Sequence, residues 1–123
     1  MNPFRDMETF MKACDQSTVK HNQDQFDLYI KLIDEEDEEL KQAIAQDNKI
    51  EILDALVDKL VVNIGAIHSM GADAEAAWKE VMRTNFAKVD KETGKVRKRE
   101  DGKVLKPQGW TAPDLEPHLT KKS

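Results

Sequence analysis

Apolar residues recur at helical spacing through most of the chain, and the phase of that recurrence divides it into four helices. Phe4, Met7, Phe10 and Met11 follow Asn2-Pro3, an N-cap and a residue tolerated in the first turn, so a helix is predicted from Pro3 to about Asp15. A polar stretch to Gln23 separates it from a second helix, Gln23 to Gln46, whose stripe is Phe26, Ile30, Ile33, Leu40 and Ile44. Leu28 and Leu32 lie on another face, which predicts burial on more than one side. Asn48 and Glu51 form a capping pair that opens a third helix running to about Met70. That helix is apolar nearly all round, with Ile50, Leu53, Leu56, Val57, Leu60, Val61, Val62, Ile64 and Ile67, and belongs in the middle of an assembly. Gly71 ends it, and Asp73 caps a fourth helix carrying Ala77, Trp78, Val81, Met82, Phe86 and Val89.

Beyond Val89 the pattern dissolves into a basic segment, with Asp101-Gly102 as a hairpin turn. Pro107, Pro113 and Pro117 then mark an extended arm with Trp110 as its anchor. The expected fold class is all-α, a bundle of four to five helices. Residues 1–90 form the helical domain, and 91–123 a C-terminal hairpin and arm of that same domain.

A length of 123 residues is one domain by the usual prior and supports a modest core. The net charge of −5 argues against nucleic-acid binding, which needs a basic excess. Cys14, the one cysteine, excludes an intramolecular disulfide and is expected to be a small buried hydrophobe. The apolar run Leu60–Ile67 falls well short of the roughly 20 residues that span a bilayer. The N-terminus has no signal-peptide pattern. A cytosolic protein without membrane contact is the expectation.

The chemistry concentrates in acids. Asp34 to Glu39 is an unbroken acidic run inside the second helix. A solvated face is the ordinary explanation of such a run, but consecutive residues circle a helix. Glu35, Glu36 and Glu39 share an arc of roughly 100° that continues from Leu28 and Leu32. Unpaired negative charge along an apolar seam is expensive, and Lys41 and Lys49 are too few to neutralise it. On the third helix Glu51, Asp54 and Asp58 share one face, and Asp58 sits mid-helix, a poor place for aspartate. Glu51 is explained by its capping role; Asp58 is not. Two acidic patches on consecutive helices repel unless a cation joins them. All-oxygen carboxylate ligands suit Mg²⁺, with Mn²⁺ as a substitute, and those ions accept phosphate oxygens. A di-iron bundle needs Glu-x-x-His, which none of His21, His68 or His118 completes, and no loop has the EF-hand pattern.

At these residues the chain resembles the MazG-like, all-α nucleoside triphosphate pyrophosphohydrolases, relatives of phosphoribosyl-ATP pyrophosphohydrolase and of all-α dUTPases and dCTPases. Glu35-Glu36-x-x-Glu39 matches the family's first motif, and Asp54 with Asp58 stands for the second, although Glu51-x-x-Asp54 also fits the bare pattern. Asn85-x-x-Lys88 resembles the family's Asn-x-x-Lys segment, and Arg99 to Lys106 through Pro113-Asp114-Leu115 resembles the tail of a bacterial and phage branch of the MazZ type. The resemblance implies Mg²⁺-dependent cleavage between the α- and β-phosphates, giving a nucleoside monophosphate and pyrophosphate. Glu35, Glu36, Glu39, Asp54 and Asp58 would hold the metal, with Glu35 or Glu36 as general base. Arg83, Asn85, Lys88, Lys103, Lys106 and Trp110 are its candidate substrate contacts, and Trp110 would close over a base or pack on a neighbouring subunit. A purine deoxynucleotide (dGTP or dATP) is the first expectation, dUTP or dCTP the alternative. The base pocket would be built by the first helix and polar loop, near Phe10, Asn22, Gln25 and Tyr29. The apolar third helix and the family's habit both imply a homodimer or tetramer. The competing class is a non-enzymatic helical interaction module whose acidic helix binds a basic partner.

Overall fold

The computed structural model describes residues 2–121. Among them are four α-helices, α1 (Pro3–Ala13), α2 (Gln23–Ala45), α3 (Lys49–Ser69) and α4 (Ala74–Phe86), and a 3-10 turn, Glu116–His118; there is no strand. The fold is all-α, and no helix is long and apolar enough to cross a membrane. Local chemistry sets the helix ends. The side chains of Asn2, Asn22 and Asn48 accept hydrogen bonds from the backbone N–H groups of Arg5, Gln25 and Glu51, which satisfies an orphan donor in each first turn. At the far ends Asp15, Asp47 and Gly71 take φ of 58°, 50° and 75°, the left-handed conformation that stops a helix.

The chain forms two compact units: Met1–Ala74 with His118–Ser123, and Glu75–Pro117. In the first, α2 and α3 pack as a hairpin, with α1 laid against α3. Small residues bring these helices close. Ala43 and Ala55 are buried, and Gly65 faces the Tyr29 ring so tightly that a Cβ there would overlap it. Gly65→Ala should therefore destabilise the protein by about 1–3 kcal/mol, the usual cost of overpacking; urea denaturation would measure it, and an unchanged midpoint would refute the contact.

A satisfied polar network fixes the segment between α1 and α2. The Gln25 amide donates to Ser69 Oγ and the Ser17 carbonyl, both at 2.8 Å, and accepts from Ser17 N–H. Tyr29 donates to Gln16 at 2.6 Å. Gln25, Tyr29 and the capping Asn22 thus serve internal structure, which leaves Phe10, exposed, as the unengaged member of the expected base-reading group.

His68 is fully buried, its Nε2 at 2.9 Å from the Phe4 carbonyl, which ties α3 to α1, while Nδ1 has no partner. Burial holds its pKa below the ordinary imidazole value, against partial opposition from the Phe4 hydrogen bond; Lys121, Glu8 and Asp73 are the charged groups around it. The unfolded histidine takes up a proton near pH 6.5 while the folded one resists. Stability from this site is therefore present above that pH and is lost as pH falls through the depressed folded value. Urea melts of both proteins between pH 7 and pH 5 should show the wild type losing stability relative to His68→Gln as the solution is acidified, because the carboxylates common to both cancel in that difference.

Several expected burials differ. Cys14 is exposed because it is the C-cap of α1, past the last helical turn, and lies outside the core that Met7 and Met11 join. On α2 the buried line is Gln25, Tyr29 and Ala43; Leu28, Ile30 and Ile44 are exposed, because α3 and the polar loop take the Tyr29 side. On α3 the buried residues other than Ala55 lie in the C-terminal half, from Val62 on, while Ile50, Leu53, Val57 and Leu60 remain 81%, 64%, 48% and 61% exposed. Among the described residues, nothing covers those four side chains on the N-terminal half of α3.

In the second unit α4 leads into a turn-rich segment with two isolated antiparallel bridges, Val89 with Val96 and Lys98 with Val104. The expected hairpin turn is there: Gly102 has φ of 89°, and Arg99 N–H donates to the Lys103 carbonyl. Trp110 anchors the arm within its own unit, its indole N–H donating to the Thr84 carbonyl at 2.7 Å.

Candidate metal and phosphate site

The α2–α3 hairpin brings Glu36, Glu39, Asp54 and Asp58 into electrostatic contact. Glu36 is half-buried, and its Oε2 is shielded from solvent with no hydrogen-bond partner. Desolvation raises its pKa first, followed by the charges of Glu39 and Asp58, a carboxyl hydrogen bond shared with Glu39, and the charge of Asp54. Asp58 is raised in the same way, by desolvation, by Asp54 through charge and a shared hydrogen bond, and by Glu39. The effect is mutual repulsion across two helices, at residues the helix spacing i, i+3 and i, i+4 holds on facing sides. Glu35 is exposed and is not among the groups acting on Glu36 or Asp58.

The lysines near the run do not relieve this repulsion. Lys59 pairs with Asp37 at 2.8 Å and Lys41 with Glu38 at 3.4 Å, both on the neighbouring arc. Lys59 was not legible as a partner in sequence, since it reaches Asp37 from the other helix. Among the described residues no group of three or more His, Cys, Asp or Glu is arranged to hold an ion by itself. Two pairs of carboxylates that repel one another, one with an orphaned buried oxygen, still fit a dication that keeps waters and phosphate oxygens in its shell, as Mg²⁺ does. They do not suit a metal needing a closed protein cage.

Next to the carboxylates the helix hairpin opens into a cavity of about 380 Å³, lined by Glu39, Gln42, Gln46, Asn48, Glu51 and Asp54 over a floor of Ala43 and Ala55. The Glu51 backbone takes the Asn48 cap, while Glu51 itself lines this cavity. Gln42 and Gln46 add hydrogen-bonding amides that the acidic pattern alone did not single out.

The remaining candidates lie in the second unit. Arg83 makes a bidentate pair with Glu80 at 2.8 and 2.9 Å, and Glu80 also accepts from Asp114 N–H. Asn85 holds Lys88 Nζ at 3.1 Å. The ammonium groups of Lys88 and Lys106 lie 5.3 and 4.8 Å from the Trp110 ring centroid. The Lys103 backbone N–H is bound to Asp101, and its side chain is exposed.

No curated protein matches the chain. The family comparison does match, over residues 4–85, a span that carries α1, the whole α2–α3 acidic hairpin and α4 up to Asn85. That match covers more than half of the 123 residues, and the chain belongs to the phosphoribosyl-ATP pyrophosphohydrolase family, pyrophosphohydrolases of the MazG-like superfamily that act on phosphoanhydride bonds.

Proposed function

We propose that the chain is a Mg²⁺-dependent nucleoside triphosphate pyrophosphohydrolase that cleaves between the α- and β-phosphates, releasing a monophosphate and pyrophosphate. The observation that carries this reading is the orphaned Glu36 Oε2, shielded from solvent among Glu39, Asp54 and Asp58. Those four carboxylates would hold the ion, with Glu35 at their margin. Bound there, the metal supplies charge neutralisation for the phosphate chain and a water of lowered pKa. Glu36, kept proton-accepting once a cation offsets its neighbours, or Glu35 from the exposed side, takes the proton of the attacking water. The hairpin keeps these groups fixed through the Tyr29–Gly65 contact, so reorganisation during the reaction is small.

A purine deoxynucleoside triphosphate is the first substrate on the resemblance of the tail, with dUTP or dCTP as the alternative. The contacts assigned to Arg83, Asn85, Lys88, Lys103, Lys106 and Trp110 belong to this proposal on the same ground. The working protein is a homodimer or tetramer, supported by the uncovered stripe of α3, and acts in the cytosol, where nucleotide pools are found. Pyrophosphate release from a panel of dNTPs and NTPs, with Mg²⁺ and with EDTA, tests the reading. Turnover of at least one nucleotide that stops in EDTA is expected; no turnover with any of them leaves the interaction module in its place.

A further inference from the structure

The family match ends at residue 85, and the second unit carries a cavity of its own beyond that point. It measures about 500 Å³, and Lys88, Lys91, Arg97 and Lys106 line it together with apolar residues such as Val89 and Leu105. Asp90 is the one carboxylate in its wall, and its Oδ1 is occupied by the backbone N–H groups of Glu92 and Thr93 in the adjoining turn. Lys91 and Arg97 have no ion-pair partner among the described residues, whereas Arg99 in the same segment is paired with Asp101. The ammonium groups of Lys88 and Lys106 each lie near the Trp110 ring, and Lys88 also donates to Asn85. Four basic residues thus line one concavity in a protein of net charge −5, and an anion there would offset their like charge.

We infer that this cavity is a binding site for a short polyphosphate chain, one that takes it without a metal ion. The volume falls within the range of small-ligand pockets, and four basic residues around it match the charge of two or three linked phosphates better than that of a single oxyanion. Arginine and lysine here divide the work in the usual way, Arg97 offering paired donors to two oxygens and the lysines point charge. The inference rests on the proposed function only in giving Lys88 and Lys106 phosphate contacts, and it adds Lys91 and Arg97. The chain that fills it is either the substrate's own triphosphate or a separate polyphosphate; both present the same chemistry.

Titration calorimetry of the full chain with inorganic triphosphate, in EDTA at about 150 mM salt to screen diffuse attraction, tests it. Wild type should bind, and Lys91→Ala/Arg97→Ala should weaken binding tenfold or more. Lys95→Ala/Lys98→Ala, which removes the same charge from the same segment outside the cavity, should change it less than threefold. No binding by the wild type, or equal losses in both variants, overturns the site. Glu36→Gln should bind triphosphate in EDTA as wild type does, so failure of the hydrolase reading and failure of this one are separable. With an active enzyme, a raised KM in Lys91→Ala/Arg97→Ala assigns the cavity to the substrate's phosphates, and an unchanged KM to a second polyphosphate.

Discussion

Glu36→Gln should abolish pyrophosphate release, lowering kcat by on the order of 10³ or more, while raising the melting temperature of the metal-free protein by a few degrees. The two effects have opposite signs because one carboxylate serves two states. Without a cation, Glu36 is desolvated and set against Glu39, Asp54 and Asp58, so its charge opposes folding. An amide of the same shape removes that charge. With a cation, the same charge would bind it under the proposed function, and the amide would bind poorly. Added Mg²⁺ should therefore raise the melting temperature of the wild type and leave the variant unmoved. The pH dependence follows from the raised pKa values of Glu36 and Asp58. Stability from such groups is complete below the ordinary carboxylate value and is lost as pH rises through the raised folded value. In EDTA, then, the wild type gains on Glu36→Gln as the solution is acidified; His68, common to both proteins, cancels in that difference. A variant that keeps turnover within tenfold, or melts below the wild type in EDTA, would refute this role for Glu36.

Leu53→Glu combined with Leu60→Glu should convert the protein to a monomer. Ile50, Leu53, Val57 and Leu60 fall three, four and three residues apart, the spacing of a helix–helix seam, and all four are exposed in the single chain. Each leucine covered by a second copy contributes about 1.5–3 kcal/mol, and two carboxylates in the seam would oppose closure, so the dissociation constant should rise on the order of 10³ or more. Light scattering at tens of micromolar should find the wild type as a dimer or tetramer and the variant at the monomer mass. Activity should fall with it, because Asp54 and Asp58 ride on the same helix as the seam. A monomeric wild type would end the expectation of self-association.

The starts of α1 and α3 and the end of α3 were legible in the sequence, because each is set by a residue acting on its own backbone: Asn2, Asn48 and Gly71; the Asn22 cap of α2 was not singled out within its polar stretch. The acidic constellation was legible for a similar reason, since helical periodicity places Glu36 with Glu39 and Asp54 with Asp58 before any packing is known. Burial was less so. Periodicity finds an apolar face but not what covers it, which is why Ile30, Ile44 and the outer face of α3 were expected inside and lie outside in one chain. Cys14 failed for a local reason: one residue past the last helical turn, it no longer follows the α1 stripe.

What the sequence by itself determined, then, is the set of helices, their caps and the excess of acid on two of them, all consequences of interactions within a few residues. The tertiary structure decided which acids meet. It joined Glu36 and Glu39 to Asp54 and Asp58, left Glu35 exposed, and left Glu36 Oε2 without a hydrogen-bond partner. It also gathered Lys88, Lys91, Arg97 and Lys106 around one cavity. Those outcomes depend on how closely helices and turns approach, and that distance is fixed by contacts such as Tyr29 against Gly65, between residues far apart in the chain.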